Sequence, residues 1–121
     1  MKEKQIRVLR VKPNAKPLPD DIDNTLDALQ NEVGGYIETV SLPGGTVIIC
    51  NEEGALKGFV HNRALVFKVE NGGSYQVDIL GNFIICGTDG DEFRGLSGQE
   101  IKDLTKQFDR ERVIFKREAM K

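Results

Sequence analysis

Three consecutive polar side chains, His61, Asn62 and Arg63, form the pattern in this chain that most suggests ligand recognition. They place an imidazole, an amide and a guanidinium side by side between two apolar segments. A guanidinium offers paired N–H donors to a carboxylate or a phosphate, and an imidazole titrates near neutral pH. We therefore predict a polar loop that binds a partner protein or a small anionic ligand, with Tyr36 or Tyr75 as a stacking face.

Two glycine-containing turns carry the acidic side chains that a metal site or an acid–base pair would need. Asn51, Glu52 and Glu53 lie in the first turn, and the second spans Asp89–Glu92. Carboxylates from both turns would have to meet to bind a cation or to divide acid and base roles. Solvated turns use the same residue types, so we predict no catalytic residues here. A structural alternative for the polar triplet pairs Arg63 with Glu52 or Glu53.

Cys50 and Cys86 occupy the same place in two similar apolar runs, Ile48–Cys50 and Ile84–Cys86. Cysteines at the end of β-branched runs are typical small core residues, so we predict two buried, reduced thiols. A disulfide between them is the alternative. One histidine and two cysteines without paired-ligand spacing argue against a zinc site, and we predict neither a metal nor a cofactor.

The composition is that of one globular domain. The 121 residues are 39% hydrophobic and 30% charged, with a formal net charge of −2. This balance argues against nucleic-acid binding, which requires a strongly positive surface. Every apolar run is far shorter than a membrane span, and the start lacks the pattern of a signal peptide. We therefore expect no membrane association and a cytoplasmic protein.

The spacing of apolar residues and the positions of prolines predict the first strand, the connection after it and the first helix. Alternating apolar residues predict a strand over 5–12, and three prolines within 13–19 predict an extended connection. A helix is expected over about 24–33, with Asp23 or Asn24 as its cap and a glycine pair at its end. Its buried face is predicted to carry apolar residues at helical spacing: Ile22, Leu26, Leu29 and Val33.

The two Ile-Ile-Cys runs predict a pair of related hairpins. A strand over 36–42 turns directly into the first run, which an acidic turn connects to a predicted return strand at Leu56–Phe59. The second run has the same layout, with a return strand that ends at Arg94. The repetition indicates either weak internal symmetry or two uses of one turn type.

These patterns predict an α+β fold for a single domain, 1–121. A mostly antiparallel, hairpin-rich, twisted sheet is expected to pack against two main helices, the second over about 98–109. Segment 112–116 is expected to be a last strand rather than an extension of that helix, and 117–121 a frayed tail.

A series of motifs in fixed order resembles a known family. The motifs are DNTLDALQ at 23–30, VGGYIE at 33–38, ICNEEG at 49–54, NRAL at 62–65 and DILGNFIICG at 78–87. They resemble an uncharacterised family of small proteins from phages, plasmids and integrative elements of bacteria. The resemblance covers nearly the whole chain and implies no catalytic residues, because the family has no assigned function. It implies the accessory gene of a mobile element.

The leading expectation is a non-enzymatic accessory protein that binds a host protein, for example to modulate host defence, or that self-associates through a sheet edge. A sequestering protein for a small anionic ligand such as a nucleotide signal is the first alternative. A metal-dependent enzyme that uses the acidic turns is the second. The candidate ligand- or partner-binding residues are His61, Asn62, Arg63, Asn51, Glu52, Glu53 and Tyr36.

Overall fold

A computed structural model describes residues 3–116 of the chain, so the predicted frayed tail at 117–121 lies outside the described residues. The predicted α+β fold is confirmed, because residues 3–116 form two helices and nine strands in mostly antiparallel sheets. The elements are β1 Gln5–Val11, β2 Leu18–Asp23, α1 Leu26–Val33, β3 Ile37–Leu42, β4 Thr46–Asn51, β5 His61–Lys68, β6 Ser74–Leu80, β7 Phe83–Asp89, β8 Glu92–Arg94, α2 Gly98–Gln107 and β9 Arg112–Lys116.

The strands form two sheets. The larger sheet has the order β2-β1-β7-β4-β3, with β8 also paired to β7, and the smaller has the order β6-β5-β9. One apolar cluster joins the larger sheet to α1 through residues such as Leu29 and Ile49. The other joins its opposite face to the smaller sheet and α2 through residues such as Ile48, Leu65 and Phe108. The larger sheet is therefore covered on both faces.

The repeated Ile-Ile-Cys runs are the two central strands of this covered sheet. They pair antiparallel, with Ile48 opposite Ile85 and Ile49 opposite Ile84. Because both faces of β4 and β7 are buried at their centres, the central residues of both strands are apolar at consecutive rather than alternate positions. The matching sequences thus reflect matching surroundings. Because the two strands run in opposite directions, the acidic turns that follow them lie at opposite ends of the sheet.

The two runs continue differently. The second forms the predicted hairpin, in which Asp89 pairs with Glu92. The return strand predicted at Leu56–Phe59 is wrong, because this segment forms a tight helical turn closed by 2.9 Å hydrogen bonds from Lys57 N to Glu53 O and from Phe59 N to Gly54 O. Ala55, Leu56 and Lys57 lie within this turn, and all three residue types favour helical over extended backbone.

The elements near the N-terminus differ in some details from those predicted. The proline-rich connection includes an edge strand, β2, where a proline without an N–H group is tolerated. Helix α1 begins after Thr25, whose side chain accepts from Ala28 N, rather than at Asp23 or Asn24. Gly34 ends it in the left-handed region, as expected. Leu26 is 58% exposed, so its predicted burial is wrong.

The C-terminal elements follow the prediction closely. Ser97 and Glu100 form a reciprocal capping box at the start of α2. Segment Arg112–Lys116 is a strand, as expected, and it pairs parallel to β5. This pairing brings the chain after α2 back across the smaller sheet and seats Val113 and Phe115 in the core.

Candidate functional site

The polar triplet lies at the start of β5, so its predicted placement in a loop is wrong. The pairing of β5 with β6 shifts register between His61 and Arg63. Such a bulge leaves one residue out of the strand ladder, which is how three polar residues fit into a strand. Asn62 and Arg63 are 1% and 3% exposed. Two of the three candidate side chains are therefore part of the interior.

The Arg63 guanidinium uses all five of its N–H donors within the protein. Nε and Nη2 donate to Phe108 O at 3.0 and 2.9 Å, and Nη2 also donates to Ala15 O at 2.7 Å. Nη1 donates to Asn62 O at 3.2 Å and to Asn62 Oδ1 at 2.7 Å. A guanidinium has five donors in a fixed plane. The alternative pairing with Glu52 or Glu53 is thus replaced by contacts to backbone carbonyls and to Asn62.

The surroundings of Arg63 also disfavour an anion. Phe108 is the C-terminal cap of α2, where helix carbonyls lack partners and carry partial negative charge. A neighbouring cavity of about 350 Å³ is lined by Asp109 and Glu111. Burial lowers the pKa of Arg63, and these two carboxylates act in the opposite direction. Arg63 therefore binds a helix terminus and carries its charge inside the fold.

Asn62 and His61 complete the triplet in different ways. Asn62 Nδ2 donates to Val11 O at 2.9 Å and to Gly81 O at 2.8 Å. Both amide protons are thereby used, and β5 is tied to β1 and to the β6–β7 turn. His61 is exposed and lies 3.0 Å from Asp78, whose pKa is lowered by this contact and by Gln76. The triplet is thus two buried structural residues beside one surface pair.

A second group of candidates lies where α1 ends, and Asn51 organises it. Its Nδ2 donates to Val33 O at 3.1 Å, and its Oδ1 accepts from Glu53 N at 2.7 Å. Glu52 N donates to Tyr36 O at 2.8 Å. Asn51 is buried, whereas Tyr36 and Glu52 are exposed and Glu53 is half-buried. The structure therefore brings Tyr36, Asn51, Glu52 and Glu53 together and keeps them apart from Arg63.

Apolar side chains lie near this group, and among them only Tyr36 was a candidate binding residue from the sequence. Tyr36, Leu56 and Val60 are 66%, 86% and 63% exposed. Phe59 is half-buried and helps to line a cleft of about 450 Å³ between the end of α1 and Val60. We call Tyr36, Leu56, Phe59 and Val60 the Tyr36 surface. The sequence predicted Leu56 as part of a return strand and Val60 as the start of the polar loop, and neither was expected to form an exposed apolar surface.

The remaining candidates are dispersed. Among the described residues, no group of three or more His, Cys, Asp or Glu side chains is placed to hold a metal ion. Both cysteines are free and buried, as expected. They lie in different core clusters, on opposite faces of the larger sheet. Burial raises the pKa of Cys50 to about 11 and that of Cys86 to about 12, so both remain protonated near neutral pH.

These features define a small α+β domain with buried, hydrogen-bonded polar residues in its interior and several exposed apolar residues near the end of α1. No helix within residues 3–116 is both long and apolar enough to cross a membrane. The chain belongs to the family described as Domain of unknown function (DUF3846), whose model matches residues 6–109. This agrees with the resemblance to an uncharacterised family. Comparison with curated proteins and with solved structures gave no match.

Proposed function

We propose that this protein is a non-enzymatic accessory protein of a phage or another mobile element, which acts in the bacterial cytosol by binding a host protein. The observation that carries the proposal is the exposure of Tyr36, Leu56 and Val60 on neighbouring segments beside a cleft. The setting rests on the resemblance to small proteins of mobile elements. Modulation of host defence is one function that suits this setting.

The Tyr36 surface has the composition of a binding hot spot. Exposed aromatic and aliphatic side chains beside a cleft are the usual anchors of protein interfaces. Burial of each large apolar side chain contributes about 1.5–3 kcal/mol. Gly34 and Gly81 border the cleft and bring backbone close to the Phe59 ring. A partner side chain that enters the cleft would therefore meet a preformed apolar wall.

Charge at the edge of this surface indicates the partner's chemistry. Glu52 and Glu53 lie in the turn that carries Leu56, whereas the carboxylate of Glu32, which lines the cleft, already pairs with Arg10. Lys57 is the basic residue of this turn, and its Nζ lies 3.4 Å from Gly34 O and 6.0 Å from the Phe59 ring centroid. Complementary charge selects partners and speeds association. We propose a partner segment with an apolar anchor flanked by basic residues.

Crosslinking tests this proposal. A photoreactive amino acid at Leu56 should form a crosslink to one host protein in a bacterial lysate, and Val60→Ser should abolish that crosslink. Leu26→Ser is the matched control, because Leu26 is 58% exposed on α1, outside the Tyr36 surface. Loss of the crosslink with Leu26→Ser but not with Val60→Ser would contradict the proposal. Crosslinks between copies of this chain alone would indicate self-association instead.

A further inference from the structure

The last strand, β9, has one face in the core and one face exposed. Val113 and Phe115 belong to a core cluster, whereas Ile114 between them is 51% exposed. Successive side chains of a strand lie on opposite faces of the sheet. Arg112 and Lys116, both exposed, therefore share the outer face with Ile114. This face combines one exposed apolar side chain with basic side chains on either side of it along the strand.

Two lysines on the outer face lack a partner of opposite charge. Lys68 in β5 lies directly opposite Lys116 in β9, and both are exposed. Like charges at directly opposite positions of a sheet destabilise it. Within residues 3–116, neither lysine belongs to an ion pair. We call Ile114, Lys68 and Lys116 the Ile114 surface.

The Tyr36 surface carries the opposite charge. Its exposed side chains Leu56 and Val60 lie near Glu52 and Glu53. Neither glutamate belongs to an ion pair in the described part of the chain. An apolar anchor flanked by basic residues is the partner chemistry proposed for the Tyr36 surface, and the Ile114 surface supplies it. The two surfaces of this protein are thus complementary to each other.

These two surfaces cannot cover each other within one copy. Ile114 lies opposite Val66, six residues along the chain from Val60. At about 3.3 Å per strand residue, roughly 20 Å separates the two positions. Two β9 edges would also pair poorly about a twofold axis at Ile114, because Arg112 of one copy would lie opposite Lys116 of the other. Contact between the surfaces therefore requires a head-to-tail arrangement of separate copies.

We propose that the Ile114 surface of one copy docks on the Tyr36 surface of a second copy when no host protein is bound. This contact rests on the proposed role of the Tyr36 surface in binding and gives the host protein a competitor. Both surfaces are small, so the association is weak and reversible. Head-to-tail contacts leave one surface of each type free at the ends, so assembly continues beyond a dimer as the concentration rises.

Sedimentation velocity of the purified full chain over a range of concentrations tests this contact. The unaltered protein should associate progressively, and added salt should weaken the association. Lys68→Glu combined with Lys116→Glu should weaken it by at least about tenfold, because like charges then face each other. Glu52→Lys combined with Glu53→Lys should have the same effect. An equimolar mixture of these two doubly substituted proteins should associate again, because their altered surfaces are complementary.

A matched control and a crosslink locate the contact. Lys102→Glu combined with Lys106→Glu makes the same change in net charge on exposed positions of α2. This control should associate as the unaltered protein does. In purified protein, a photoreactive amino acid at Leu56 should form a crosslink to the peptide of a second copy that contains Ile114.

Several outcomes would overturn the proposed contact. One is a chain that stays monomeric at millimolar concentration. Another is an equal loss of association in the α2 control, which would show that net charge alone governs association. A third is a mixture that fails to associate although both of its components keep the circular dichroism of the unaltered protein. The assay contains no host protein, so self-association and the crosslink to a host protein in a lysate can each fail without the other.

Discussion

Two regions of the molecule differ from the usual pattern of polar outside and apolar inside. The polar residues Asn62 and Arg63 are buried, whereas the apolar side chains of the Tyr36 surface are exposed. Arg63 is 3% exposed, whereas Leu56 is 86% exposed. All five guanidinium donors of Arg63 meet acceptors within the protein, so its charge is used to hold the fold together. Leu56 and Val60 leave apolar surface in contact with water, which the proposed partner would cover. Residues whose polar groups are hydrogen-bonded within the protein are structural, whereas exposed apolar residues without contacts in the core are the candidates for binding.

The largest expected effect comes from removal of the buried charge. Arg63→Ala leaves the carbonyls of Phe108 and Ala15 without their donor and opens a cavity, so we expect it to lower the free energy of unfolding by about 3–5 kcal/mol. Urea denaturation measures this change. Arg112→Ala is the control, since Arg112 is exposed and should cost less than about 0.5 kcal/mol. Equal midpoints for the two variants would contradict the structural role of Arg63.

The ion pair between Arg94 and Glu100 should differ from the Arg63 cluster in how its stabilisation depends on pH. Hydrogen bonding to Arg94 lowers the pKa of Glu100 to about 2 from an ordinary value of 4.5. Because the folded pKa is depressed, this stabilisation is fully present above pH 4.5 and is lost as the pH falls toward 2. We expect Glu100→Gln to cost about 2 kcal/mol at pH 7 and progressively less in acid. Arg63 donates to carbonyl oxygens and has Asp109 and Glu111 only nearby, so the effect of Arg63→Ala should depend less on pH than that of Glu100→Gln.

Asn51 links the interior to the Tyr36 surface. Asn51→Ala removes the hydrogen bonds to Val33 O and from Glu53 N, and we expect a loss of about 1–2 kcal/mol. The altered turn should also show faster amide hydrogen exchange at Lys57 and Phe59 than the unaltered protein. Unchanged exchange at these two amides would show that Asn51 does not position the turn.

The smallest expected effect on stability belongs to the exposed apolar residues. Leu56→Ser and Val60→Ser should each change the free energy of unfolding by less than about 0.5 kcal/mol, because neither side chain is part of a core cluster. Both should abolish partner capture. A stability loss close to that of Arg63→Ala would show that the surface belongs to the fold rather than to an interface.

Prediction from sequence succeeded where one local signal determines the structure. The capping box at Ser97 and the glycine at the end of α1 specify helix termini by their own hydrogen bonds and backbone angles. It failed where distant residues decide the outcome. The triplet at Arg63 indicates a loop unless the chain at Phe108 and Ala15 supplies acceptors, and those residues are about 45 positions away in either direction.

The contact between Phe67 and Phe115 and the exposure of the Tyr36 surface could not be predicted from local sequence signals either. Phe67 and Phe115 lie 48 positions apart, and only the parallel pairing of β5 with β9 makes them neighbours. Leu56 follows an acidic turn that matches a hairpin pattern, yet its segment forms a helical turn. In both cases, strand order and turn geometry decide exposure, and neither is encoded in a short window of sequence.

Hydrogen exchange of the Arg63 side chain tests the central claim most directly. NMR can follow the guanidinium protons of Arg63 and of the exposed Arg112 in the same sample. We predict that the Arg63 protons exchange slowly with water and do not shift when phosphate is added, whereas those of Arg112 exchange rapidly. Rapid exchange at Arg63, or a phosphate-dependent shift there, would contradict it, because the donors would then be open to a ligand.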